Sequence, residues 1–205
     1  MKKDFQLVTV IGGLVGLLAQ PILGSVPALQ HAMQGSTAPL LRIGVFLAFL
    51  FLAPTALFIA SLLGKFVSAV LYQFAKFAAV GVLNTFVNVG VFNILTFLYG
   101  ATPSGVVFSV IKGLSFIGAT TNSFFWNKYW TFSAPGSSRE KEATKFYIVA
   151  VGGFIIDNIV STLVFKSGGT NPSNFWTNIV SPMSGVAGAF LWDFLGYKFL
   201  VFKKS

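Results

Sequence analysis

Six long runs of hydrophobic residues alternate along the chain with short polar or charged connections. A helix needs about 20 consecutive apolar residues to cross the bilayer core, and each run is close to that length. The pattern therefore predicts an all-α fold, a polytopic membrane bundle of six transmembrane helices. Their approximate bounds are 5–23, 43–64, 77–99, 105–126, 146–165 and 178–197.

The first run has a second interpretation. Lys2 and Lys3 precede its apolar stretch, as they do in a secretory signal peptide. Because no convincing small-residue cleavage site follows, we favour a retained helix; a signal peptide would leave five spans.

Positive charges test the number of spans, because Lys and Arg collect in cytoplasmic loops. With the N-terminus inside, the outer side holds Arg42 and Lys166, and Lys112 lies within a span. The other eleven cationic residues fall inside, and they are Lys2, Lys3, Lys65, Lys76, Lys128, Arg139, Lys141, Lys145, Lys198, Lys203 and Lys204. The distribution predicts a multi-pass protein of the cytoplasmic (inner) membrane with both termini in the cytoplasm.

The spans divide into two predicted regions. Residues 1–72 form a two-helix membrane hairpin with a polar outer segment, and residues 73–205 form a four-helix membrane domain. Small residues spaced four apart, Gly12 with Gly16 and Gly185 with Ala189, are positions where two helix backbones can approach closely.

The four-helix region contains a weak internal repeat, as many membrane folds do. An offset of 69 places Asn88 on Asp157. An offset of 70 places Lys128 on Lys198, each within a similar aromatic-rich segment. We therefore expect two helical hairpins in parallel orientation.

Composition narrows the chemistry. Hydrophobic residues make up 55% of the chain and charged residues 9%, against roughly a quarter in soluble domains. With no cysteine and His31 as the single histidine, the usual thiolate and zinc chemistries are excluded, and we expect no metal and no cofactor. The net charge of +9 is assigned to cytoplasmic loops rather than to nucleic acid, since no nucleic-acid-binding motif occurs.

Three segments of the four-helix region carry a family resemblance. They read VGVLNT at residues 80–85, SFFWNKYWTF at 123–132 and DFLGYKFLVF at 193–202. With these segments, residues 73–205 resemble the GtrA-like membrane proteins of cell-surface polysaccharide synthesis, although Lys128 stands where arginine is common. The resemblance implies a non-enzymatic protein that moves a polyprenyl-phosphate-linked sugar across the membrane.

Polar residues inside spans are costly, so each one is a candidate for function. We expect the amides and carboxylates to bind a sugar headgroup and the lysines to bind its phosphate. The candidate substrate-binding residues are Lys112, Lys128, Lys198, Asn84, Asn88, Asn122, Asp157 and Asp193. The rings of Trp126, Trp130 and Trp192 offer flat faces for a pyranose.

Each assignment has a structural alternative. Lys128 and Lys198 could be lysine anchors at the membrane boundary, and Lys112 could pair with Asp157 or Asp193. The asparagines could serve as hydrogen-bonding contacts between helices, worth about 0.6 kcal/mol each.

Two functions remain in competition. The first is translocation of a polyprenyl-phosphate-linked monosaccharide. In this role the protein contacts membrane lipids, and its expected partner is a membrane-associated glycosyltransferase. The alternative is a membrane anchor that recruits such a glycosyltransferase through the loop at 127–145. A glycosyltransferase activity of this chain itself is disfavoured, because no loop carries a paired acidic motif. Four small spans enclose little volume, so a homodimer is also considered.

Overall fold

The computed structural model describes residues 1–25, 27–66, 68–134, 139–169, 173 and 176–202. Its seven α-helices in this described part are α1 (Lys2–Ala19), α2 (Pro27–Gln34), α3 (Ala38–Phe66), α4 (Ala69–Tyr99), α5 (Gly105–Trp126), α6 (Arg139–Ser167) and α7 (Ser181–Gly196). A 3₁₀ turn spans Leu23–Ser25, and π-helical turns span Asn127–Thr131, Trp176–Val180 and Tyr197–Val201. The expected all-α fold is confirmed for these residues.

Each predicted span coincides with a helix, but not all of these helices have the length and hydrophobicity needed to cross a bilayer. In the described part of the chain, three are long and apolar enough, Ala38–Phe66, Ala69–Tyr99 and Glu140–Ser167. Helix α1 carries three charged residues in its first turn, and α7 by itself is 16 residues long. The chain is therefore a helical membrane protein, while the count of six spans stays a prediction.

The chain forms two compact units, residues 1–131 and 132–205. The first unit joins the N-terminal hairpin to α4 and α5, because α1 packs against both α3 and α4. The second unit contains α6 and α7. The domain boundary near residue 72, drawn from sequence, stays a prediction.

The core of the first unit explains why α1 docks on the hairpin. Its buried hydrophobic residues come from four of the unit's elements and are Val8, Ile11, Val15, Leu57, Val80, Leu83 and Trp130. Gly12 and Gly16 lie against the α3 backbone, where a Cβ at Gly12 would collide with the carbonyl oxygen of Phe49 and one at Gly16 would lie 3.1 Å from the Cα of Phe46. The predicted close approach at these glycines is confirmed.

Helices α6 and α7 of the second unit are also held together at glycines. A Cβ on Gly185 would overlap Ser161 and Asp157, and one on Gly188 would lie 3.3 Å from Val160. The aromatic rings at the ends of these helices are stacked, with the Phe146 and Tyr197 centroids 3.9 Å apart. The unit therefore combines close backbone contact with an aromatic cluster.

The ends of α4 follow local rules. The Ser68 hydroxyl accepts a hydrogen bond from the Val70 amide at 3.2 Å and caps the first turn. Gly100 ends the helix with φ of 76°, a left-handed conformation that glycine adopts without strain. The next helix, α5, begins five residues later and returns antiparallel to α4.

Candidate functional site

Three polar residues, two of them candidates from the sequence, meet in one cavity of the first unit. Asn88 on α4 and Lys112 and Ser115 on α5 line a space of about 190 Å³, together with Val89, Phe92 and Phe108. The Phe92 and Phe108 rings contact each other edge to face with centroids 5.7 Å apart. The cavity therefore has aromatic walls and a small set of polar groups, the usual composition of a small-molecule site.

Lys112 supplies the positive charge of this α4–α5 cavity. Its side chain is exposed, whereas Ser115 is 1% exposed and donates its hydroxyl hydrogen to the Lys112 carbonyl oxygen at 2.9 Å. Lys112 lies seven residues from the start of α5, about 10 Å along the helix axis. A cation at this depth, directed to the surface of an apolar helix, is available to an anionic group in the membrane.

Asn84 and Asn122 lie on the same two helices, beyond Asn88 and Ser115 in the direction away from the α4–α5 loop. The Asn84 Oδ1 and Asn122 Nδ2 atoms are buried, and neither has a hydrogen-bond partner among the described residues. In each of these side chains one buried polar atom lacks a partner, which is unusual in a folded protein and requires an explanation. An asparagine side chain has a carbonyl oxygen that accepts and an NH₂ group that donates, so both residues can form hydrogen bonds of either kind with a ligand.

Lys128 lies in a different environment from Lys112. It belongs to the π-helical turn after α5, is 0% exposed, and its Nζ lies 5.9 Å from the centre of the Phe124 ring. Full burial argues against a simple anchor at the lipid boundary, where the ammonium group would reach water. Asn127, also 0% exposed, donates to the Ser123 carbonyl oxygen at 3.0 Å.

Asp157 and Asp193 lie in the second unit and contact opposite helices in a reciprocal way. The Asp193 carboxylate on α7 lies against Gly153 of α6, and the Asp157 carboxylate on α6 lies against Gly185 of α7. Ser161 donates to Asp157 Oδ1 at 3.5 Å, and Asp193 Oδ1 is a buried atom without a hydrogen-bond partner in the described part of the chain. Both carboxylates fit between α6 and α7 because Gly153 and Gly185 have no side chains, and a Cβ at either position would overlap the carboxylate.

Lys198 occupies the position in the second unit that Lys128 occupies in the first. The π-helical turns Asn127–Thr131 and Tyr197–Val201 begin 70 residues apart and end 70 residues apart, the offset of the sequence repeat. Lys198 is half-buried, with Nζ 5.6 Å from the centre of the Phe194 ring. The local structures match at this offset, although the two-hairpin architecture as a whole stays a prediction.

Sequence reasoning missed a charged cluster in the first unit. The Asp4 carboxylate accepts hydrogen bonds from Lys76 Nζ at 2.7 Å, Trp130 Nε1 at 2.9 Å and the Tyr72 hydroxyl at 3.3 Å. Lys76 also donates to the Trp130 carbonyl oxygen at 3.3 Å and is 9% exposed. No sequence motif predicts this cluster, because Asp4 is 68 residues from Tyr72 and 126 residues from Trp130 along the chain.

The tryptophans proposed as sugar platforms have different roles in the structure. Trp130 is 4% exposed and contacts Trp126 edge to face, with centroids 6.0 Å apart. Trp192 is 42% exposed and donates to the Val149 carbonyl oxygen at 3.0 Å. Of the two, Trp192 is therefore the more exposed, whereas Trp130 is part of the packed core.

The structure thus brings some predicted site residues together and separates others. Asn88 and Lys112 share one cavity, and Asn84 and Asn122 lie further along the same two helices. The remaining candidates lie at the α6–α7 contact or at the π-helical turns, and they are Asp157, Asp193, Lys128 and Lys198. Asp4 is the single acidic residue of the first unit and is paired with Lys76, so pairing of Lys112 with Asp157 or Asp193 stays a prediction.

The cavity and its two helices lie inside the region that matches a known family. The family model described as "GtrA/DPMS, transmembrane domain" matches residues 76–202, more than half of the chain. The chain therefore belongs to this family, and the resemblance drawn from its sequence segments is confirmed. The N-terminal helices α1 to α3 lie outside the match.

One curated relative is similar over much of its length. The "Uncharacterized membrane protein YngA" of Bacillus subtilis (strain 168) is 26% identical over 130 residues, which are 63% of this chain and 79% of that protein. No solved structure matches the chain.

Proposed function

We propose that this protein moves a polyprenyl-phosphate-linked monosaccharide across the cytoplasmic membrane for the synthesis or modification of cell-surface glycans. The observation that carries the proposal is the α4–α5 cavity, where an exposed lysine lies beside an asparagine, within a helix pair of the family domain. Membership of the GtrA/DPMS family supports a role with polyprenyl-phosphate sugars.

The chemistry of the cavity fits the headgroup of such a lipid. The Lys112 ammonium group pairs with the phosphate, since charge-assisted hydrogen bonds to phosphate are strong. The Asn88 amide in the cavity and the Asn84 and Asn122 amides beyond it exchange hydrogen bonds with sugar hydroxyls, which gives the unpartnered atoms Asn84 Oδ1 and Asn122 Nδ2 a ligand. The apolar lipid chain stays in the bilayer throughout, so only the headgroup needs a polar path.

The other candidate residues act away from this cavity. Asp157 and Asp193 offer carboxylate oxygens to sugar hydroxyls at the α6–α7 contact, and Lys128 and Lys198 contribute positive charge at the cytoplasmic ends of their helices. Lys112 and Lys128 are about 24 Å apart along a continuous helix, too far for one phosphate to contact both, so they act in sequence. No bond is made or broken in this cycle, and the protein is not an enzyme.

Reconstitution tests the proposal. The purified protein is placed in liposomes with polyprenyl-phosphate sugar in one leaflet, and a membrane-impermeant probe measures its arrival in the other leaflet. We expect faster transfer than in empty vesicles and a rate about ten to a hundred times lower for Lys112→Ala, because a hydrogen bond to a charged group contributes roughly 1.5–3 kcal/mol. Lys166→Ala, an exposed lysine of α6, serves as the matched control. Transfer no faster than in protein-free vesicles would refute the proposal.

Recruitment of a glycosyltransferase is the second candidate, and the first turns of α6 favour it. Glu140, Lys141 and Lys145 are exposed there, within the segment 127–145 that the sequence predicts as the contact surface; because α6 begins at Arg139, the C-terminal end of this predicted loop is helical. Residues 135–138 of that loop lie outside the described residues. Co-purification with the transferase that is lost on charge reversal of Lys141 and Lys145, together with unchanged lipid transfer, would support this role.

A further inference from the structure

The first unit contains a second cavity, an apolar cleft bounded by α1, α3 and α4. Its volume is about 310 Å³, within the range of small-molecule sites. Alanines occupy much of its lining, among them Ala53, Ala56, Ala75 and Ala78. Because their side chains are short, three helices in mutual contact leave this space between them. We call it the α1–α3–α4 cleft.

The cleft is long and uniformly apolar. Its lining runs from Val8 to Val15 on α1 and from Ala75 to Val82 on α4, eight residues in each case, or about 10 Å along the helices. All its lining residues are apolar. A narrow apolar cleft in a membrane protein suits a hydrocarbon chain, since polar ligands would lose their hydrogen bonds there.

One end of the cleft is strongly basic. Asp4 bonds the first turn of α1 to Tyr72 of α4, and Gly64 near the end of α3 lies beside Tyr72, so these three helix ends meet. This shared end carries four lysines and one aspartate, and the lysines are Lys2, Lys3, Lys65 and Lys76. The excess of positive charge complements an anionic headgroup placed where the cleft ends.

We propose that the α1–α3–α4 cleft binds the isoprenoid segment next to the phosphate of a polyprenyl phosphate, with the phosphate at the lysine end. This inference rests on the proposed function and assigns a role to the N-terminal helices, which the family match leaves out. Helix α4 lines both cavities, and Asn88 lies six residues beyond Val82, about 9 Å along the axis. The cleft is a loading site for the carrier lipid, separate from the headgroup cavity.

Photocrosslinking locates the lipid directly. The full-length protein is reconstituted in phosphatidylglycerol-containing nanodiscs with a polyprenyl phosphate that carries a diazirine in its first isoprene units, and labelled peptides are mapped by mass spectrometry. We expect labels at residues 8–15, 49–57 and 75–82. Excess unlabelled polyprenyl phosphate should displace the probe, whereas dephosphorylated polyprenol and added phosphatidylglycerol should displace it at least tenfold less well.

Two matched substitutions test the cleft itself. Ala56→Trp fills it and should lower labelling about tenfold, because the ring excludes buried methylene groups of the lipid. Ala48→Trp makes the same change on an exposed α3 position outside the lining and should leave labelling unchanged. If Ala56→Trp does not fold, Leu52→Trp at the 62% exposed rim replaces it.

The outcomes separate this inference from the proposed function. Labels confined to the surroundings of Asn88 and Lys112 would overturn the cleft assignment and leave the translocation proposal in place. Labels in the cleft that phosphatidylglycerol displaces equally well would also overturn it, since the cleft would then hold bulk lipid. Cleft labelling with the expected selectivity but no lipid transfer in liposomes would support the binding site and refute translocation.

Discussion

Replacing Asp4 by asparagine tests how α1 is held to the family domain. The substitution keeps the shape of the side chain but removes the negative charge that receives hydrogen bonds from Lys76, Trp130 and Tyr72. In the variant, the amide nitrogen is itself a hydrogen-bond donor and faces the donor groups of these residues, so it cannot accept a hydrogen bond from them. The first turn of α1 should therefore detach more readily from α4.

The magnitude follows from the partners that Lys76 retains. A hydrogen bond between charged groups contributes roughly 1.5–3 kcal/mol, and Lys76 is too buried to regain full hydration. It keeps the Trp130 carbonyl oxygen at 3.3 Å and lies 5.3 Å from the Trp130 ring and 5.4 Å from the Tyr72 ring. With this partial compensation we expect a loss of about 2 kcal/mol, a factor of about 30 in the equilibrium for local opening.

Hydrogen exchange measures that opening helix by helix. In Asp4→Asn the α1 amides should exchange about 30 times faster, while the α6 amides keep their rates. Glu140→Gln, which neutralises an exposed acidic residue of α6, is the control. Unchanged α1 rates, or equal acceleration in both helices, would refute the reasoning.

The same variant gives a pH dependence. Burial raises the pKa of Asp4. The hydrogen bond and charge of Lys76 and the hydrogen bond from Trp130 lower it by a larger amount, so the pKa of Asp4 lies below its ordinary value. The stabilisation is then complete above the unfolded pKa of about 3.9 and is lost as the pH falls through the folded value. The difference between wild type and Asp4→Asn should persist from pH 7 to about pH 4 and disappear in stronger acid.

Two further substitutions separate packing from function. Gly185→Ala should lower the free energy of unfolding by about 1–3 kcal/mol, because the new methyl group collides with Asp157 and Ser161. Gly113→Ala, in open space on α5, is the control and should be neutral or stabilising. Thermal unfolding measures both variants, and equal effects would contradict the prediction. Asn84→Leu should leave stability unchanged or higher, since it removes a buried oxygen without a partner among the described residues, but should slow lipid transfer; lost stability with normal transfer would assign Asn84 to packing.

Sequence periodicity predicted the helices well and their ends less well. The run at 77–99 belongs to α4, which begins at Ala69, because Tyr72, Gln73 and Lys76 continue the helix beyond the apolar stretch. The short helix Pro27–Gln34 lies in the segment that is predicted from sequence only as a polar outer connection. Hydrophobicity marks where a helix meets lipid, and it says little about helical residues outside it.

The candidate site was predicted in part for a similar reason. The sequence identified Asn88 and Lys112 as polar residues inside two successive spans, and the α4–α5 helix pair brings them into one cavity. The full burial of Lys128 and the pairing of Asp4 with Lys76 depend on contacts between distant segments. One sequence contains no signal for such contacts, because neither residue type nor spacing specifies the partner.

The proposed function requires that the positive charge of Lys112 binds the phosphate of the lipid. Comparing Lys112→Arg with Lys112→Gln in the reconstituted transfer assay tests this requirement. Arginine keeps the positive charge and can bind phosphate, so we expect a rate within a few-fold of wild type. Glutamine keeps a polar side chain without the charge, and the rate should fall at least about tenfold. Equal rates for Lys112→Gln and wild type, with both proteins folded and oriented alike, would contradict the account.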